Sequence, residues 1–355
     1  MNSTLANSSD IFHMEIPMLK HPPAVIAIFV VGYVITFMAT MIGNCIVCYV
    51  ILKIPHMRNV TNYFVFNLAV SDMLSAIFCM PFTLVDHIIR GWPFGEAMCK
   101  VFPAMQIITV AASLFTLVAI AFDRFYAVVH PTTHTFTSTV AVRVIVLVWV
   151  MAIFLSIPIF VVQENKYQSY YDMEMHTCEE KWPYANSRKI YTASLLVISY
   201  LGPLTVITVL YTRVGVQVWF MMPPGAVKIR DNGQGTPMQR KVKVVKMMVA
   251  VGVLFSLSYL PIFTIMMLAD FGDLTLDQAD FIYVWIYPIA NWLSYINNSI
   301  NPIIYGYFNR NIRKELKKMA GKARSQRDFA MSKYNSRTTS RNDFRTRDTQ
   351  VGTSG

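Results

Sequence analysis

Two kinds of charged residue stand inside long apolar runs of this chain, where charge is costly. Between Phe115 and His130 the sequence reads FTLVAIAFDRFYAVVH, with Asp123 and Arg124 side by side. Asp72 closes NLAVSD at 67–72 and is followed at once by more apolar residues. An ionisable residue within a membrane span is a functional candidate by default, because hydrocarbon does not solvate it. Asn44, Ser113, Asn297, Asn298 and Asn301 are polar residues at matching depth in other runs. Oxygen ligands of this kind suit a hard cation such as sodium; a hydrogen-bonded polar knot without an ion is the alternative. Enzyme chemistry finds no footing. The sequence has no metal-spaced His/Cys cluster, Gly-rich phosphate loop or nucleophile elbow, and its seven His are scattered.

The elements that position these residues are apolar helices. Of 355 residues 54% are hydrophobic and 14% charged, with a mean hydropathy of +0.42. Soluble chains carry about 25% charged residues. Hydrophobic windows recur at 24–52, 61–88, 99–129, 140–162, 190–220, 241–269 and 281–306. Each is long enough to cross a hydrocarbon core of about 30 Å as a helix. The expected fold is all-α and membrane-embedded: a seven-transmembrane helix bundle with a short amphipathic cytoplasmic helix. Seven spans place the termini on opposite sides.

Basic residues set the orientation. The segments assigned outside hold seven Lys and Arg against thirteen Asp and Glu. The remainder holds 24 basic and seven acidic residues. The net +11 is therefore a topology signal, and no nucleic-acid binding is read in it. Residues 1–23 are polar and lack the apolar core of a cleavable signal, so the first span is expected to direct insertion. They form an extracellular N-terminal segment with glycosylation sequons at Asn2 and Asn7. Residues 24–306 form the bundle and 307–320 the amphipathic juxtamembrane helix. In the latter, Phe308, Ile312, Leu316 and Met319 recur at helical spacing among Arg and Lys, a pattern that suits an anionic bilayer surface. Residues 321–355 form a polar cytoplasmic tail, expected to be disordered, with Ser and Thr open to phosphorylation. The third inner loop, with Pro223, Pro224, Gly225, Gly233 and Gly235, reads as a short flexible link.

Further residues punctuate the same runs: Gly43–Asn44, a lone Trp149, Pro203, SYLP at 258–261 and NPIIY at 301–305. With NLAVSD and the Asp123–Arg124 pair, the set resembles the rhodopsin-like G-protein-coupled receptors. The resemblance implies a resting pair of Asp123 with Arg124 that opens toward a heterotrimeric G protein, supported by Tyr211 and Tyr305. It implies a toggle and hinge at Phe255, Tyr259 and Pro261, through which helix six swings outward. Phe125 replaces the usual Tyr of the DRY triplet, and Tyr259 stands where the family usually has Trp, which puts the toggle's packing in question. It also implies a sodium pocket at Asp72 and Ser113, with Asn297 and Asn298 nearby. Cys99 and Cys178 both lie outside, where thiols pair in an oxidising compartment. The family has the same bond. No Cys follows the last span, so the family's usual palmitoyl anchor is not expected.

Ligand class is argued partly by exclusion. Gln106 stands where an aminergic receptor needs Asp, and Tyr295 where an opsin needs Lys. Longer stretches, including MPFTLVDHIIRGWPFG at 80–95 and NNSINPIIYGYFN at 297–309, resemble neuropeptide FF and RFamide receptors. The expected ligand is a cationic amidated peptide. Its Arg would pair with Asp270, helped by Glu179 or Glu180, in an acidic rim that includes Asp86 and attracts cations. Its terminal amide would reach Gln106 and Thr83, with Tyr191 and Tyr287 lining one aromatic subsite. Asn291 departs from the His of the resembling receptors. A neuropeptide Y-like or other peptide receptor is the alternative. A transporter is the rival class, although neither the mid-span Asp nor the Asp-Arg pair repeats, as an internal repeat would require. The expected setting is the plasma membrane, with arrestin as a further partner through a phosphorylated tail.

Overall fold

The computed structural model describes residues 18–130, 137–170, 173–221 and 237–308, with scattered residues from 313 to 331. Along the described chain run α1 (Pro23–Lys53), α2 (Val60–Phe78), α3 (Met80–Ile88), α4 (Gly95–Val129) and α5 (Ser138–Val162). Then come β1 (Gln163–Tyr170), β2 (Met173–Glu180), α6 (Ser187–Leu196), α7 (Gly202–Met221), α8 (Pro237–Phe271), α9 (Leu276–Phe281) and α10 (Tyr287–Phe308). Five-residue π-turns, Val197–Leu201 and Ile282–Ile286, join α6 to α7 and α9 to α10. The chain is thus seven long helices: α1, α2 with α3, α4, α5, α6 with α7, α8, and α9 with α10. These are helices one to seven below. Residues up to Ile303 form one compact unit, and those from Ile304 a second. Asn2, Asn7, the third inner loop, and most of the expected juxtamembrane helix and tail lie outside the described residues.

Local chemistry sets the ends. Asn59 accepts from the Asn62 amide at 3.0 Å to start α2, and Thr137 caps α5 in the same way. Thr275 and Gln278 form a reciprocal capping box at α9, which satisfies two of the amides a helix start leaves free. Proline shapes the interiors, since it gives no amide to the carbonyl four residues back. Helices four and six run through Pro158 and Pro261. Helix five takes a π-turn just before Pro203, and helix seven one just before Pro288. Helix two breaks at Cys79, two residues before Pro81, a break not expected from the sequence.

Six of the helices are apolar enough to cross a bilayer on length and composition alone. The seventh falls short of the sequence expectation because Asn291, Ser294, Asn297, Asn298, Ser299 and Asn301 dilute its apolar run. Those residues are nearly all buried, whereas Ile28, Ile35, Val146, Phe154, Val161 and Leu257 are exposed. A bilayer gives no apolar drive between helices, so packing and interhelical hydrogen bonds hold the bundle. Asn67 is a centre of this kind. It donates to Thr116 Oγ1 and accepts from Trp149 Nε1, each at 2.8 Å, so one side chain joins helices two, three and four. Helix one approaches helix seven closely at Gly43, where a Cβ would lie 2.9 Å from Pro302.

Interhelical hydrogen bonds of this sort contribute about 0.6 kcal/mol on average within membranes. Trp149→Phe, which removes one, is therefore expected to lower the melting temperature in detergent slightly. Asn67→Ala, which removes two, is expected to lower it further. Thermal unfolding of the purified variants checks the order.

Candidate functional site

One end of the bundle is covered by the hairpin. β1 and β2 pair antiparallel from Gln163↔Glu180 to Tyr170↔Met173. The Cys99–Cys178 disulfide fastens β2 to the start of helix three, with Cα atoms 5.6 Å apart. A second attachment is Trp92, whose amide donates to His176 O at 2.6 Å and whose ring stacks on Phe102. Gly91 makes this approach possible. Its φ is +87°, and a Cβ there would meet His176 O at 3.0 Å. The chain before α1 reaches the same end, where Lys20 N donates to Ile88 O and Arg90 N to Met18 O. His21 follows, buried between Phe29 and Trp285. Burial, then Lys20 beside it, lowers its pKa and so favours the neutral ring.

Beneath this cover lies a set of tyrosines and amides. Gln106 Nε2 donates to Asn291 Oδ1 at 3.3 Å, across helices three and seven. Thr83 shares a 2.7 Å hydrogen bond with Tyr295. Tyr287 touches His87 and Tyr283 edge-on. Tyr191 lies elsewhere: its hydroxyl donates to Leu155 O and its ring faces Trp182, among Ala104, Ile107, Ile159 and Val162. Tyr191 and Tyr287, expected to line one aromatic subsite, share no ring contact among the described residues. The cause is register, since Tyr191 faces helices three and four while Tyr287 faces helix two.

The acidic residues also separate. Glu179 and Glu180 are adjacent on a strand, so their side chains point to opposite faces. Glu179 engages Gln168 at 3.3 Å and Lys166 at 3.7 Å on β1. Glu180 accepts from Trp182 Nε1 at 2.7 Å and lies 3.6 Å from Arg188 Nε. Asp270 is paired: its Oδ1 lies 2.8 Å from Arg188 Nε, and its side chain is 5% exposed. Asp86 sits apart, 4.0 Å from His87 Nδ1, and its backbone carbonyl accepts from Lys20 Nζ at 2.5 Å. Only Glu180 and Asp270 of the predicted acids converge. Arg188, which joins them, is a residue of the site that the sequence does not single out. The signal was its sign amid acids, which linear sequence does not place in space.

Midway through the bundle, Asp72 is 1% exposed and its Oδ2 accepts from Asn301 Nδ2 at 2.9 Å. Ser71 and Ser113 share a 2.8 Å hydrogen bond. Asn298 donates to Ser75 at 3.1 Å, and its own carbonyl accepts from Asn44 at 3.1 Å. Asp72 Oδ1, Asn44 Oδ1 and Asn297 Oδ1 are buried acceptors with no hydrogen-bond partner. All five predicted polar residues are buried at this level.

Toward the other end, Phe255 and Tyr259 stack at 4.3 Å one turn apart, just before Pro261. Tyr200 stacks on Phe263 and donates to Ser256 O at 2.7 Å, tying helix five to helix six. At the far end Arg124 pairs with Asp123 Oδ2 at 2.8 Å. The same oxygen accepts from Thr61 Oγ1 at 2.6 Å. Phe125 packs with Val128, Val214 and Val245. Tyr211 and Tyr305 are buried.

The chain matches the family described as 7 transmembrane receptor (rhodopsin family) over residues 43–305. It is 41% identical over 319 residues to neuropeptide FF receptor 2 of Mus musculus, covering 86% of this chain and 75% of that one. It is 40% identical over 303 residues to neuropeptide FF receptor 1 of Homo sapiens, covering 83% and 70%. A QRFP-like peptide receptor of Branchiostoma floridae is 33% identical over 301 residues, covering 84% and 78%.

The geometry at Gly91 yields a local test. Gly91 and Gly95 both have positive φ, at +87° and +74°, but only Gly91 faces a neighbour. Left-handed backbone costs a side chain about 1–2 kcal/mol. Gly95→Ala is expected to show that cost alone. Gly91→Ala adds a clash with His176 O and is expected to melt at a lower temperature still. Comparison of the two melting curves decides it.

Proposed function

The chain belongs to the rhodopsin family of seven-transmembrane receptors, and from that premise we propose that it is a plasma-membrane receptor for an RFamide-type peptide. The relatives above are named for such peptides. In this reading the hairpin end and the N-terminus are extracellular, in keeping with the excess of acid in those segments. The observation that carries the reading is the convergence of Asp270 and Glu180 from different elements at the covered end, above the Gln106–Asn291 pair. The two carboxylates form a subsite for the guanidinium of an Arg near the peptide's C-terminus. Guanidinium matches a carboxylate with a planar fork of donors. Gln106, Asn291 and Thr83 offer donors and acceptors to the terminal amide, and Tyr287 and His87 flank the helix-two side.

Signal transfer in this reading runs through helix six to a heterotrimeric G protein at the Arg124 end. Pro261 gives no amide to the Leu257 carbonyl, so bending there breaks no backbone hydrogen bond. The Phe255–Tyr259 stack must shift as the helix swings. Arg124, held to Asp123 at rest, turns to the G protein. Asp72, Ser113, Asn297 and Asn298 would hold an allosteric sodium ion. The buried acceptors Asp72 Oδ1 and Asn297 Oδ1, neither hydrogen-bonded, fit a hard cation. A bound ion would supply the positive charge that Asp72 lacks, and so favour the resting arrangement.

Truncating one partner of a buried charge pair at a binding site costs about 2–5 kcal/mol. Asp270→Ala is therefore expected to weaken a peptide ending in Arg-Phe-amide at least tenfold, at about 1.4 kcal/mol per decade. Competition binding should show little change for the twin peptide with citrulline in place of Arg. An intact preference for Arg would remove the acidic subsite from the reading. Arg124→Ala should keep peptide binding and lose nucleotide exchange. Asp72→Asn should abolish any dependence of agonist affinity on sodium, and an unchanged sodium response would leave an ion-free polar knot.

A further inference from the structure

Asp270 does not wait empty for a ligand. Its side chain is 5% exposed, and its Oδ1 lies 2.8 Å from the Nε of Arg188, at the start of helix five. Glu180 Oε2 lies 3.6 Å from the same nitrogen. The three residues come from three elements: the end of β2, the first turn of α6 and the last turn of α8. The partners differ in how firmly they are placed. Asp270 is enclosed, and Glu180 is anchored by the Trp182 indole at 2.7 Å. The Arg188 side chain is 48% exposed.

We infer that Arg188 is a built-in competitor: its guanidinium occupies the Asp270–Glu180 subsite without peptide and is displaced into water by the peptide's own Arg. The inference deepens the peptide-receptor reading and rests on it. A buried carboxylate left without a cation is strongly destabilising, so the empty site needs an occupant, and Arg188 is the one at hand. Its removal is cheap, because a long, half-exposed side chain can keep its charged head in water. The incoming guanidinium replaces like with like, and no charge is stranded at any stage.

Competition of this kind acts only on ligands that enter the subsite. Lysine presents a compact, strongly hydrated point charge, while Arg presents a planar fork suited to carboxylates. Displacing Arg188 costs the same whichever side chain enters, so the cost cancels from the ratio of an Arg to a Lys peptide, and the preference for Arg comes from the two carboxylates. Arg188 therefore lowers the affinity of every peptide that places a cation in the subsite and leaves a peptide that does not enter it unchanged. It acts through occupancy of the subsite, without contact to the bound peptide.

The test uses the full-length receptor in membranes and three synthetic peptides that differ at one position before a terminal Phe-amide: Arg, Lys or citrulline. Receptors carry no change, Arg188→Gln, Arg188→Lys, Asp270→Asn, or Arg188→Gln with Asp270→Asn. Partly exposed ion pairs contribute up to about 1 kcal/mol, a factor of about five at 1.4 kcal/mol per decade. Arg188→Gln is expected to tighten the Arg peptide about three- to fivefold and the Lys peptide by no more than that. The citrulline peptide should be unchanged. Arg188→Lys, which keeps the charge but loses the fork, should fall between the wild type and Arg188→Gln, and it serves if Arg188→Gln does not reach the membrane. On the Asp270→Asn background, Arg188→Gln should change nothing. If Arg188→Gln leaves the Arg peptide unchanged, or weakens all three peptides alike, Arg188 is a structural brace or a direct contact and the inference is overturned. If Asp270→Asn removes the preference for Arg while that happens, the peptide subsite survives and only the role of Arg188 falls. If Asp270→Asn keeps the preference, both fall together.

Discussion

A polar group inside this bundle has only the bundle to bond with, because the bilayer core offers no partner. An unsatisfied group there costs several kcal/mol. That constraint explains why buried hydroxyls bond back to carbonyls of their own helix, as Ser71, Thr116 and Ser294 do, while the buried amides also bond across helices. Asn67 joins three helices, Asn298 reaches helices one and two, and Asn301 reaches Asp72. It also explains why the seventh helix is the least apolar. The helix that supplies Asn291, Asn297, Asn298 and Asn301 to others cannot also be a uniformly greasy one. The packing follows from the bonding: Gly43 lets helix one approach Pro302 where Asn44 meets the Asn298 carbonyl.

The same constraint stops at the ends of the bundle, where water returns and charge becomes affordable. At the covered end the hairpin is held covalently to helix three and by hydrogen bonds to the loop at Trp92. A lid fixed at two points places Glu180 beside Asp270, although the two are 90 positions apart in the chain. Like charges so placed repel, and Arg188 between them turns that repulsion into attraction. The arrangement is a cation site by construction, whichever guanidinium fills it.

How much of this is legible in the sequence depends on the range of the interaction. The spans were legible because twenty apolar residues in a row have few other uses, and the observed helices begin and end within a few residues of the hydrophobic windows. Asp72 and the Asp123–Arg124 pair were legible because charge in an apolar run is anomalous wherever it occurs. The hairpin was not foreseen. Its strands are rich in polar residues and carry no clear period-2 signal, and the disulfide that places β2 joins it to helix three rather than to β1. The separation of Glu179 from Glu180 follows only once the segment is known to be a strand. The Arg188 pairing was invisible for another reason. A loop reads as acidic when its own residues are counted, yet the field at Asp270 is set by what other loops bring to it. Tyr191 and Tyr287 show the same limit, since membership of one pocket depends on the rotation of two helices that sequence leaves free.

Helix six carries the consequences of these features along its length. Near the covered end it is tied to helix five by Arg188 and Asp270, and lower down by the Tyr200 hydroxyl and the Tyr200–Phe263 stack. Pro261 lies between Phe263 and Ser256, the two places where Tyr200 holds helix six, and there the backbone lacks a hydrogen bond and bending is cheap. The Phe255–Tyr259 stack lies just beyond, on the far side of the proline. A rod held above a hinge moves most below it, so small rearrangements at the covered end appear as larger displacement near Arg124. The two ties differ in kind. The aromatic one is apolar and insensitive to a cation, while the ionic one is a link of helix five to helix six that a charged ligand can compete for directly. On the proposed reading, chemistry at the covered end therefore reaches helix six through the ion pair first, and through the packing around Pro261 only afterwards.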